Sequence, residues 1–255
     1  MSKKRLAIFI AALVLIAAGV GYVVYHFASQ AARNKIYDDI KPEPVEIEST
    51  TEAVPEYHSK IDWQKMHEIN PDIYAWIEIP GTDISYPVVQ GGPWENYYLD
   101  HTIEGYEGYP GAIYTQMINH KDFNDFNTLI YGHDMNDGSM FAQLHYYRDP
   151  TFFDEHREIK IYLPDKEFTY TVFAAITYDD RLIPKYYDNE NEYARNEFLE
   201  SVYGNRYLDD EIREEPKVTQ ADDLITLSTC IWDMPYNRYL VIAVKTKTTP
   251  EASGK

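Results

Sequence analysis

The chain has 255 residues and carries 23 Lys plus Arg against 42 Asp plus Glu, a formal net charge of −19. That acidity argues against nucleic acid as a partner, because phosphate binding requires Lys and Arg to displace counterions. A single cysteine, Cys230, excludes an intramolecular disulfide framework and any multi-cysteine zinc or iron–sulfur centre, while 44% apolar residues suffice for one sizeable core.

Residues 1–5 form a basic stub with Lys3, Lys4 and Arg5, and an uncharged run follows from Leu6 to Val24. At 1.5 Å per residue that run spans about 28 Å, close to the hydrocarbon thickness of a bilayer. Tyr22, Tyr25 and His26 close it with rings that favour an interface. Residues 6–28 are therefore predicted to be a transmembrane signal-anchor helix. The basic stub stays in the cytoplasm and the rest of the chain lies outside, a single-pass protein of the cell membrane. The alternative is a signal peptide cleaved near Ser29-Gln30-Ala31, although the apolar run exceeds the usual core of about 7–15 residues. Residues 29–60 are polar, include Lys41-Pro-Glu-Pro-Val-Glu, and read as an extracellular stalk too poor in apolar side chains to offset ordering entropy. Residues 61–247 form the folded domain and 248–255 a disordered tail.

Within the domain, 61–70 predicts a short helix ended by Pro71. Two apolar runs, 73–79 and 83–89, flank Pro80-Gly81 and read as a hairpin. Further strands are predicted at 111–115, 127–132, 157–163, 167–178, 224–230 and 238–246, about eight in all. Helices are predicted at 139–146 and at 190–203, the latter between the sixth and seventh strands. A mainly β domain with added helices follows, a closed barrel or a sandwich in preference to a doubly wound sheet.

The strand 224–230 ends at Cys230, a seven-residue connection follows, and the next strand opens at Arg238. If the two strands pair, Cys230 and Arg238 oppose each other with Cβ atoms about 4.5–5.5 Å apart. A guanidinium at that range favours the thiolate and can donate to an oxyanion forming beside the sulfur. The competing reading is a small buried hydrophobe, although an unpaired exported thiol asks for a reason. A thiolate nucleophile needs a proton donor for the leaving group. Of the eight histidines, His133 stands out because the strand Asn127-Thr-Leu-Ile-Tyr-Gly132 runs directly into it; His101, His120, His145 and His156 sit in polar loops or at helix ends. No His-Glu-x-x-His occurs and Asp134-Met-Asn-Asp-Gly138 misses the calcium-loop register, so neither a metal nor a cofactor is expected.

The combination Thr226-Leu-Ser-Thr-Cys230, Arg238 eight positions on, and Tyr131-Gly-His133 upstream resembles the sortases, cysteine transpeptidases of Gram-positive surfaces. Tyr86-Pro-Val-Val-Gln90, Tyr97-Tyr-Leu99, the Tyr-Gly-His-Asp-Met block and the helix at 190–203 resemble class B. The resemblance covers about 72–244. It implies a closed eight-stranded barrel and a cleft roofed by the connection between the sixth and seventh strands. It implies attack by Cys230 after threonine in a C-terminal sorting signal of a surface protein. The thioacyl-enzyme is then resolved by an amine of peptidoglycan or its lipid-linked precursor. His133 would be general acid and then base, Arg238 would stabilise the oxyanion, and Ser228 and Tyr131 would line the binding cleft. Gly111-Ala-Ile-Tyr-Thr-Gln116 departs from the Gly-x-x-Phe-x-Asp pattern of the family, and no acid directly follows the cysteine, although Asp233 is near. Two rival readings stay open: an exported cysteine protease that hydrolyses the same acyl-enzyme, and a stalked adhesin or scaffold with an inert cysteine.

Overall fold

The computed structural model describes residues 3–42 and 57–250, which divide into two compact units after Ile40. The first is one helix, α1, Lys3–Asp39. Its window of 18 apolar residues has a mean hydropathy of 2.0, and side chains such as Phe9, Leu15 and Val24 are exposed. Helical structure continues past 28 to Asp39, so the opening of the stretch read as an unordered stalk is ordered. Residues 43–56 lie outside the described residues. At its other end that stretch is tied down, since Ser59 Oγ accepts from Trp63 Nε1 at 2.9 Å and Lys60 pairs with Glu78.

The second unit opens with α2, Trp63–Ile69, capped by Asp62, and then forms one sheet. Its strands are β1 (Ile73–Glu78), β2 (Ser85–Val89), β3 (Ile113–Tyr114), β4 (Asn127–Tyr131), β5 (Glu158–Tyr162), β6 (Glu167–Asp179), β7 (Glu211–Ile212), β8 (Leu224–Cys230) and β9 (Asn237–Thr249). The order is β5-β1-β2-β3-β4-β8-β9-β6-β7, and β5 also pairs with β6. That last pairing closes eight strands into a barrel, with the two-residue β7 added on β6 at Ala174 and Ala175. The β2–β3 and β4–β8 pairs are parallel and the others antiparallel. Strand β9 stays paired with β6, through two register shifts, as far as Thr249 opposite Glu167, so 248 and 249 belong to the barrel and not to a tail; 251–255 lie outside the described residues.

The core gathers on strands buried on both faces, where alternation gives way to continuous apolar runs. In β6, residues 172–178 are all buried, and β8 is buried until Cys230. Helix α5, Glu192–Tyr203, covers part of the barrel: the Asn191 side chain caps its first turn, and Phe198, Leu199 and Val202 enter the cluster around Phe126, Phe173 and Tyr187. Each such side chain contributes about 1.5–3 kcal/mol of burial. The helix predicted at 139–146 is a 3-10 helix at 142–148. Leu144 and Tyr147, three residues apart, and the N-cap Phe141 are buried, as is Gln143. Two short helices not predicted, α3 (Pro150–Glu155) and α4 (Ile183–Tyr186), complete the unit.

Candidate active site

The ends of β4 and β8 build the site together. They run parallel with Tyr131 opposite Ser228. One residue further on, Gly132 N donates to Ser228 O at 3.1 Å, and Thr229 Oγ1 donates to Gly132 O at 2.8 Å. These bonds fix the two residues that immediately precede His133 and Cys230. A side chain at 132 has no room, because a Cβ there would meet Ile113 Cδ1 at 2.5 Å and Phe141 Cδ2 at 2.7 Å. Across β8 the ladder ends on the pair Cys230 and Arg238, as the spacing of the hairpin predicts.

Cys230 is exposed and is a free thiol. Cys230, His133, Arg238, Tyr131 and Ser228 all line one cleft of about 630 Å³. His133 is held on two sides: its Nε2 donates to Leu99 O at 2.6 Å, and Tyr109 packs edge-on with ring centres 5.0 Å apart. A carbonyl only accepts, so the proton of a neutral ring sits on Nε2 and the lone pair on Nδ1. Arg238 donates from Nη1 to the carbonyls of Pro235 and Asn237 at 3.1 and 2.7 Å, which anchors one edge of the fork at the mouth of the cleft.

The walls include residues to which the sequence assigned no role in the site, some of them in the stretch 111–116. Gln116 accepts from Tyr131 Oη at 3.1 Å and donates to Asn96 Oδ1 at 2.8 Å. An amide at 116 can do both, whereas a carboxylate there has no donor for Asn96. The Tyr131 and Tyr114 rings stack at 5.3 Å, and burial pushes both phenols well above their ordinary range, so both stay neutral. From the end of β6 and the connection after it come residues 179–183. Arg181 donates to both Asp179 oxygens from Nε and Nη2, at 2.7 and 2.5 Å, and from Nη1 to Tyr187 Oη at 3.0 Å. That guanidinium holds the Asp179 carboxyl below the usual carboxylate range. The connection thus supplies one wall of the cleft through 179–183, while α5 packs on the barrel core.

His145 lies in the last turn of its helix, as expected, but makes a contact that the sequence did not indicate. Its side chain is only 20% exposed, and its Nε2 donates to Cys230 O at 3.0 Å. No local signal marks it, since the contact spans 85 positions.

A sequence model of the Sortase domain family matches residues 77–246. Sortase B of Listeria monocytogenes is 30% identical over 209 residues, which is 80% of each chain. Among solved structures, Clostridium perfringens sortase B superposes with a TM-score of 0.65 at 26% identity, covering 73% of this chain and all of that one. A Staphylococcus aureus sortase B–substrate complex gives 0.62 at 28% identity, covering 72% of this chain and 84% of that one. The closed barrel, the cleft at the ends of β4 and β8 and these matches agree that the chain belongs to the sortase family of cysteine transpeptidases, in its class B.

Proposed function

We propose that this transpeptidase cuts the C-terminal sorting signal of exported proteins after threonine and passes the acyl group, through a thioester on Cys230, to a peptidoglycan amine. The observation that carries the reading is that Cys230, His133 and Arg238 line one cleft, with Cys230 and Arg238 directly opposed. The Cys230 thiolate attacks the threonine carbonyl carbon, and the electron pair moves onto oxygen beside Arg238. Collapse breaks the C–N bond; the departing amine takes a proton from His133, and the acyl group remains on sulfur. An incoming amine gives its proton to His133 as it attacks the thioester, and collapse yields an amide and the thiolate. Because Nε2 of His133 is committed to Leu99 O, Nδ1 carries the proton both ways. Tyr131 and Ser228 form the wall along which the peptide lies.

The same reading makes α1 a retained single-pass anchor, its basic end cytoplasmic and the catalytic unit outside the cell. The length and apolar surface of the helix support this, as do Lys3, Lys4 and Arg5 before the run. A tether of this kind raises the effective concentration of enzyme beside lipid-linked precursors.

The test is mass spectrometry of the protein mixed with a peptide library in which one position is fixed as threonine. A thioester adduct on Cys230 is expected, absent in Cys230→Ala and His133→Ala variants of unchanged circular dichroism. Addition of oligoglycine or a diaminopimelate-containing peptide then yields an amide. A free acid alone would make the protein a protease, and no adduct on Cys230 would remove the reading.

A further inference from the structure

The segment that presents His133 folds back at once. Phe141 N donates to His133 O at 2.9 Å, and Asp134 forms a bridge with Met140. The chain then enters the 3-10 helix 142–148, whose last turn carries His145 and Arg148. Both meet Tyr239, the residue after Arg238: His145 lies 5.0 Å from that ring, centre to centre, and the Arg148 guanidinium lies over it at 4.8 Å. Arg148 is held in turn by Asp209 at 2.9 Å. The helix is thus fastened against the strand end that carries Arg238.

His145 Nε2 sits between two acceptors, the Cys230 carbonyl oxygen at 3.0 Å and Asp134 Oδ2 at 3.3 Å. Neither His145 nor Asp134 lines the cleft. We infer that His145 is a positioning residue for the nucleophile: it fixes the peptide plane of Cys230 from outside the cleft and, through Asp134, ties that plane to the segment that carries His133. Cys230 is the last residue of β8, so its carbonyl lies where the chain leaves the strand for the connection to β9. A reacting sulfur displaced by a fraction of an ångström loses rate steeply, while peptide binding along the cleft wall is untouched. The effect therefore falls on the rate constant of acylation and spares KM.

The inference rests on the acyl-transfer reading of Cys230, and the experiment separates the two. The full chain is mixed with the best peptide of the threonine library, and adduct formation on Cys230 is followed in single turnover. His145→Leu is expected to lower the acylation rate constant roughly tenfold, with half-saturation unchanged within about twofold. His145→Gln keeps an N–H donor at similar reach and is expected to recover most of that loss. His145→Phe, which fills the space without a donor, should behave as His145→Leu does; it stands in if the leucine variant fails to fold. Acylation at the wild-type rate in Leu and Phe variants, or equal impairment in Gln, Leu and Phe variants, overturns the positioning role alone. Absence of any adduct in the wild-type chain overturns the reading beneath it as well.

Discussion

Thr229 donates its hydroxyl to the carbonyl oxygen of Gly132 at 2.8 Å, so the residue before Cys230 is bonded to the residue before His133. Thr229 is 2% exposed, and water has little access to replace the bond. Thr229→Val keeps the shape and removes the donor, which costs about 1–2 kcal/mol of stability. Acylation should slow by several-fold in addition, because two reacting groups lose a common restraint. Thr229→Ser should restore both. Urea unfolding and single-turnover acylation of the three proteins check this, and a valine variant of full activity would show that the bond serves the barrel only.

Arg238 opposes Cys230 across the last pair of the β8–β9 ladder. Donors aimed at a developing oxyanion are each worth about 10²–10³ in rate. Arg238→Ala should lower kcat by that order with little change in KM, and Arg238→Lys should recover only part, since an ammonium lacks the planar fork. A loss confined to KM would recast Arg238 as a group that only binds peptide.

The hairpin and its two chemical residues were legible because they are local. A strand, a seven-residue connection and a second strand specify neighbours, and the register then sets Cys230 against Arg238. His133 was legible for a similar reason, as a strand runs straight into Gly132, where the packing of Ile113 and Phe141 demands glycine. In the segment from Asn96 to Gln116 the strand expected at 111–115 is present as Ile113–Tyr114, but the hydrogen bonds that bring Asn96 and Gln116 to the cleft wall were not legible, because they join side chains 20 positions apart. The contact of His145 with Cys230 was not legible, because its partner is a backbone carbonyl, which has no sequence signature. The helix at 142–148 lies close to its expected place but is of the 3-10 type.

The bond from His133 Nε2 to Leu99 O fixes a tautomer. Neutral His133 should carry its proton on Nε2, which nitrogen chemical shifts of the ¹⁵N-labelled imidazole report directly. A ring protonated on Nδ1 would contradict the assignment of Nδ1 as the atom that exchanges protons with substrate. The Tyr131 phenol, held neutral by burial, should contribute no limb to a pH–rate profile, so Tyr131→Phe should change its height and leave its shape.

Gly111 leaves room for the contact between Leu99 O and His133. Its φ is +66°, where a side chain is strained, and a Cβ would meet Leu99 O at 2.6 Å and His133 Cδ2 at 3.2 Å. Gly111→Ala should cost about 1–2 kcal/mol for the left-handed backbone alone. It should also push Leu99 O away from His133, so activity falls further than in a variant of equal stability loss elsewhere in the barrel. Comparison of acylation rates at matched stability decides it; an alanine variant with wild-type acylation would mean that the Leu99 contact is dispensable.

Outside the site, His120 gives the fold a dependence on pH whose sign can be fixed in advance. Its Nδ1 lies 2.7 Å from Asp125 Oδ1, and that hydrogen bond, with the carboxylate charge, raises the His120 pKa above its ordinary value. A histidine whose pKa is raised on folding stabilises the protein fully below its unfolded value, near 6.5, and loses that contribution as pH rises through the folded value. Asp125 also accepts from His120 N at 2.8 Å and Asn119 Nδ2 at 2.9 Å, and those bonds persist at any pH where the carboxylate is ionised. His120→Gln should therefore be less stable than the wild type by a larger margin at pH 5.5 than at pH 9. The ring is exposed, so salt should shrink the difference. Urea unfolding of both proteins at the two pH values measures it, and a deficit that stays constant or grows toward pH 9 would rule out the charged pair as its source.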